Sequence, residues 1–183
     1  KNSPTLTINV PEPYVLLGKG LYRDDIVASA YDVGGFPEYE VEIYENLNTP
    51  GYIYIKNAYT HEYPVSGLTI SAGYEGDSYF AINIEDPNEV FLPVQYLGIE
   101  YGSYGKMKVG TSLPGKLENN IITFPVKAFV FSEDNYNGGA WYMNANNNGM
   151  FRLCLPGAVL TDFSLGLSYS GIRAGADNST RPV

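Results

Sequence analysis

The chain has 183 residues, with 20 acidic against 11 basic side chains and a formal net charge of −9. That balance excludes a polyanion partner, so nucleic acid and anionic membrane surfaces are not expected ligands. One Cys excludes an internal disulfide framework and a Cys-based zinc site, and one His excludes any site that needs two imidazoles.

The apolar content of 44% is that of a folded chain, and a domain of this size buries about 70% of its surface without metal or disulfide staples. No stretch is long and apolar enough for a membrane-spanning helix. Apolar residues mostly alternate, and turn signals recur at short intervals, which predicts an all-β chain.

In chain order, Asp24 to Ala30 is the only segment with helical potential. Asp25 is its candidate cap, but the β-branched Ile26 and Val27 favour a strand or turn. Tyr39 to Tyr44 and Tyr52 to Ile55 flank Asn48-Thr49-Pro50-Gly51 and predict a hairpin. Asp77 to Ile84 and Val90 to Val94 predict a second, around Asp86-Pro87-Asn88. Lys106 to Val109 and Ile121 to Phe124 predict further strands. Trp141 to Met143 and Met150 to Leu153 flank Asn146 to Gly149 and predict a third hairpin. A last alternating run ends at Leu165, Leu167 and Tyr169.

The expected fold is a single domain over residues 1–183, an antiparallel β-sandwich. Its predicted core is Val41, Ile43, Ile53, Ile55, Ile82, Ile84, Phe124, Phe151, Leu153, Leu165 and Leu167. Gly20 to Val27 resembles Gly115 to Ile122, and the first and third hairpins follow at a similar offset. An internal repeat, 16–100 and 105–171, and chance recurrence of common hairpin grammar both account for these matches.

Candidate chemistry is sparse. His61 sits in a polar turn, and Gly166 to Gly171 lacks the spacing of a nucleophile elbow. Glycoside hydrolysis needs two carboxyls across a cleft, one with a raised pKa. The candidates are Asp24, Asp25, Glu85, Asp86, Glu89, Glu133 and Asp134, all at predicted strand ends or turns. That placement predicts solvated carboxylates, because Asp also forms turns for local reasons. Glu133, Asn135 and Asn137 have the spacing of a calcium loop, but Asn144 stands where a bidentate Glu is required. No metal or cofactor is expected. Cys154, flanked by Leu153 and Leu155, reads as a buried small hydrophobe. Asn178-Ser179-Thr180 matches a glycosylation triplet that is common by chance.

The aromatic content is the informative signal. Tyr136, Asn137, Trp141 and Tyr142 combine rings with amide and glycine neighbours, a composition suited to stacking on sugars. That reading requires an exposed surface containing Trp141 or Tyr142. Tyr52 and Tyr54, opposite in facing to Ile53 and Ile55, and the segment Tyr96 to Tyr101 offer a second strip.

Leu17 to Asp25, Tyr39 to Glu45 leading into Pro50 to Tyr59, and Leu117 to Pro125 together resemble an uncharacterised group of secreted lipoproteins of gut Bacteroidetes. The resemblance covers residues 16 to 171. It implies a location outside the cell or on the outer-membrane surface of a Gram-negative bacterium. It also implies a lipid anchor on a Cys ahead of Lys1, and a glycan-utilisation setting, and it supplies no catalytic residues. The expected function is a non-catalytic surface module that binds glycan. An adhesion protein that binds other proteins is the alternative, and a glycoside hydrolase the lesser one.

Overall fold

The computed structural model describes residues 13–30, 38–59, 67–141, 143–145 and 151–159. These form the strands β1 (Tyr14–Arg23), β2 (Glu38–Asn46), β3 (Tyr52–Lys56), β4 (Leu68–Ile70), β5 (Tyr79–Asn83) and β6 (Gln95–Tyr101). They continue with β7 (Lys106–Thr111), β8 (Lys116–Glu118), β9 (Ile121–Thr123), β10 (Phe129–Glu133), β11 (Met143–Ala145) and β12 (Arg152–Cys154). The larger sheet has seven strands in the order β5-β3-β2-β1-β12-β9-β8, and the smaller has five in the order β11-β10-β7-β6-β4. Every pairing is antiparallel. The two sheets pack face to face as a β-sandwich.

Alternation and register produce the buried face. Ile43 lies opposite Ile55, Ile55 opposite Phe80, and Ile53 opposite Ile82. Tyr22 lies opposite both Tyr39 and Leu153, and Leu153 opposite Ile122. These residues therefore share the inner face of the larger sheet. Leu97, Ile99, Met107, Val109, Phe129 and Phe131 of the smaller sheet join them in one buried cluster. Fully burying each such side chain contributes about 1.5–3 kcal/mol. Phe124, Phe129 and Phe151 meet at ring-centre distances of 4.7 to 5.2 Å where the two sheets converge. Val41, Phe124 and Phe151 are buried as predicted, Ile84 is partly buried, and Leu165 and Leu167 lie outside the described residues.

The first predicted hairpin forms as β2 and β3. Thr49 N–H donates to Asn46 O at 3.0 Å, and Gly51 takes a φ of 83° in the turn. The second is shorter than predicted, because the returning segment makes only isolated bridges, Phe91 with Asn83 and Val90 with Gly115. The third prediction needs correcting. β11 pairs with β10 in the smaller sheet, while β12 pairs with β1 and β9 in the larger one. These two consecutive strands therefore belong to different sheets. Alternation around a polar turn does not distinguish a hairpin from such a pair, since both bury every second residue.

The helix preference also needs correcting. Val27–Ala30 forms one α-helical turn, α1, and Asp24 caps it in place of Asp25. Gly115 to Ile122 instead runs through β8, an Asn119-Asn120 turn and β9. Both stretches of the first matched pair begin in a strand, β1 or β8, and diverge after the Asx pair, into α1 in one and β9 in the other.

Candidate functional site

The outer face of the smaller sheet carries the exposed aromatic residues. In β7, Met107 and Val109 are buried, so Lys108 and Gly110 point outward. Tyr96 of β6 lies opposite Lys108, and Val130 of β10 lies opposite Gly110. After β10 the chain makes a compact turn. Asp134 N–H bonds Lys106 O, and Asn135 N–H bonds Tyr104 O. This turn returns Trp141 over the sheet.

The edge of the indole lies over Gly110. A Cβ at Gly110 would stand 3.6 Å from Trp141 Cη2 and 3.2 Å from Val94 Cγ2. The Lys108 ammonium lies 5.6 Å from the indole centre, a cation–π contact. The Trp141 side chain nonetheless remains 42% exposed.

A polar rim borders the ring. Asp134 receives a hydrogen bond from the Tyr96 hydroxyl at 3.0 Å and lies 3.9 Å from Lys108 Nζ. The carboxylate that accepts this bond raises the Tyr96 pKa, so the phenol stays protonated as a donor. Tyr136 and Tyr104, both exposed, meet edge to face at 5.2 Å. Asn137 is exposed at the turn tip.

Of the four residues singled out in the sequence, Tyr136, Asn137 and Trp141 therefore share one exposed turn, while Tyr142 lies outside the described residues. Trp141 and Tyr136 are linked through Lys108 and the 134–135 turn, not ring to ring. Sequence reasoning missed Lys108 as the neighbour of Trp141, and Tyr96 and Asp134 as the groups beside Lys108. Cross-strand register brings Tyr96 and Lys108 together, and a single sequence does not show register between distant strands.

The second tyrosine strip divides. Tyr14 stacks on Tyr79 at 3.8 Å, and Tyr44 and Tyr54 pack edge-on against them, on the outer face of the larger sheet. The Tyr54 hydroxyl pairs with Thr49, and the Tyr44 hydroxyl donates to Glu42. These rings largely cover one another. Ile53 and Ile55 face the core as alternation predicts.

The expectation that the candidate carboxylates are solvated holds for Glu85, Asp86 and Glu89, holds in part for the half-buried Asp134, and fails for the other three. Asp24, Asp25 and Glu133 are buried. Asp24 Oδ1 accepts from the backbone N–H of Ile26 at 2.8 Å and Val27 at 3.3 Å, and from the Tyr59 hydroxyl at 3.4 Å. Desolvation raises its pKa from 3.8 to about 7, against the lowering effect of those N–H donors. Asp25 lies 3.9 Å from Arg23, and Glu38 bridges Arg23 at 3.8 Å and Arg152 at 3.0 Å. Asp24 thus supplies the raised pKa that a hydrolase needs, but with 0% exposure it offers nothing to a substrate.

The calcium spacing is split in the same way. Glu133 is buried, while Asn135 and Asn137 are at the surface. Among the described residues there is no group of three or more metal-ligating side chains. Cys154 is buried beside Ile121 and Leu21, and burial pushes its thiol up to about 11. His61 lies outside the described residues.

No family model, curated protein or solved structure matches the chain.

Proposed function

We propose that the protein is a non-catalytic binding module that holds a carbohydrate against the Trp141 platform. The observation that carries this reading is the half-exposed indole laid over a sheet face within a polar rim. A pyranose ring has an apolar C–H face and a hydroxyl edge. The first suits an aromatic ring, and the second suits the Tyr96, Asp134 and Lys108 groups beside it. The platform rests on paired strands, which fixes its shape before a ligand arrives and reduces the ordering cost of binding.

The carboxyl arrangement weighs against a hydrolase, since Asp24, whose pKa is raised to about 7, lies in the core. A cell-surface or extracellular location rests on the resemblance to secreted lipoproteins.

A glycan array with the wild type and Trp141→Ala tests this function. The expected result is a defined set of bound glycans and a loss of at least about tenfold in affinity for them in the variant, which corresponds to about 1.4 kcal/mol. No glycan bound by the wild type, or equal binding by both proteins, would overturn the reading and shift weight to protein adhesion.

A further inference from the structure

An open groove begins where the platform ends. It holds about 500 Å³ between the segments Glu89 to Val94 and Thr111 to Pro114. The two walls are pinned to each other. Thr111 Oγ1 accepts from Leu92 N–H and donates to Leu92 O at 3.0 Å, and Val90 and Gly115 exchange both backbone hydrogen bonds. Pro93 and Pro114 stiffen the opposing walls. The groove is therefore built into the fold, within the size range of about 300–1,000 Å³ usual for ligand clefts.

Its lining is amphipathic. Phe91 is 38% exposed, Leu113 46% and Val94 68%. Glu89 is the only ionisable side chain among the lining residues, and its carboxylate has no hydrogen bond or ion pair among the described residues. Val94 belongs to both surfaces, since it lines the groove and its Cγ2, like Trp141 Cη2, comes within 3.6 Å of the Cβ position above Gly110. A ligand lying on the indole and extending past Val94 enters the groove.

We propose that platform and groove form one continuous track for a neutral oligosaccharide longer than a disaccharide. This rests on the carbohydrate-binding reading above and adds the ligand's length and charge. Trp141 stacks on one sugar unit, and Phe91, Val94 and Leu113 take the C–H faces of the units beyond. Glu89 accepts a hydrogen bond from a sugar hydroxyl. The charge follows from the groups present. Lys108 is the cation beside the platform and is partnered by Asp134, Glu89 is acidic, and the chain carries −9, so an acidic polymer is repelled.

The test is titration calorimetry with neutral gluco-, manno-, xylo- and galacto-oligosaccharides from two to six units. Wild type, Trp141→Ala, Leu113→Ser and Phe91→Ser are compared. For the sugar series that binds, wild-type affinity is expected to rise about tenfold or more from the disaccharide to the longest chain. Leu113→Ser and Phe91→Ser are expected to abolish that rise while leaving disaccharide affinity within about twofold. Trp141→Ala is expected to weaken binding at every length. Wild-type affinity independent of length would overturn the track while leaving the platform in place. Groove variants that weaken all lengths equally would overturn it too. No binding at any length would overturn both readings. Sedimentation at rising concentration checks the other occupant, since a dimer dissolved by Leu113→Ser would mean that the groove is filled by a second copy of this chain.

Discussion

Asp24 is the residue at which local chemistry and packing conflict. Its side chain caps α1, a role an ionised carboxylate fills well, yet it is fully buried. Burial wins, and its pKa rises to about 7 from an ordinary 3.8. Between those values the folded protein holds a proton that the unfolded chain has released. The stabilising contribution is therefore complete below the unfolded value and is lost as pH rises through about 7.

Urea midpoints should fall from pH 5 to pH 8, with a decline on the order of a few kcal/mol in unfolding free energy. Asp24→Asn keeps the capping oxygen and imitates the protonated form. It should flatten that part of the profile and exceed the wild type at pH 8. The quantity to follow is the difference between the two proteins. Parallel profiles would refute the assignment.

This residue also shows what a sequence leaves unsaid. The Asp-Asp dipeptide signals a cap or a turn from local hydrogen bonding alone. Its burial depends on tertiary packing, in which Tyr59, 35 residues further along the chain, donates to its carboxyl. Trp141 shows the reverse case. Its turn and its glycine neighbours were visible in the sequence, and the structure places it at the surface as the ligand reading required.

Strands with clean alternation were the most legible elements. β2 and β3 bury Val41, Ile43, Ile53 and Ile55 as their periodicity demands, and Pro50-Gly51 turns between them. β11 and β12 were misassigned to each other because partner choice is set by the whole sheet.

β1 shows a second kind of long-range constraint. It lies between β2 and β12, and Gly20 stands at its closest approach to its neighbours. A Cβ there would collide with the Cys154 backbone carbonyl and lie 3.1 Å from Ile43 Cγ1. Because backbone yields less readily than a flexible side chain, Gly20→Ala should lower unfolding free energy by about 1–3 kcal/mol. Gly76, with open space around its Cβ position, is the matched control. Gly76→Ala should be neutral or stabilising by about 0.4–1 kcal/mol, through loss of unfolded-chain freedom. Chemical denaturation of both variants measures the contrast. Equal effects would mean that the close packing around β1 relaxes without cost.

At the scale of the molecule, the question is whether residues 16–100 and 105–171 behave as two units. The apolar core they share argues that they do not. The first stretch contributes β1, β2, β3 and β5 to the larger sheet and β4 and β6 to the smaller. The second contributes β8, β9 and β12 to the larger and β7, β10 and β11 to the smaller. The seams are β1 with β12 in one sheet and β6 with β7 in the other. Each stretch alone would expose open strand edges in both sheets and half of a shared apolar core.

The chain should therefore unfold in a single transition. Trp141, the sole tryptophan, reports on the smaller sheet through fluorescence, while far-UV circular dichroism reports on both sheets. Their urea midpoints should coincide. A fragment of residues 16–100 should show no cooperative transition, because its strands lack the partners that cover them. Separated midpoints, or a cooperatively folding fragment, would mean that the halves carry independent cores and that the seams β1–β12 and β6–β7 are docking contacts between them.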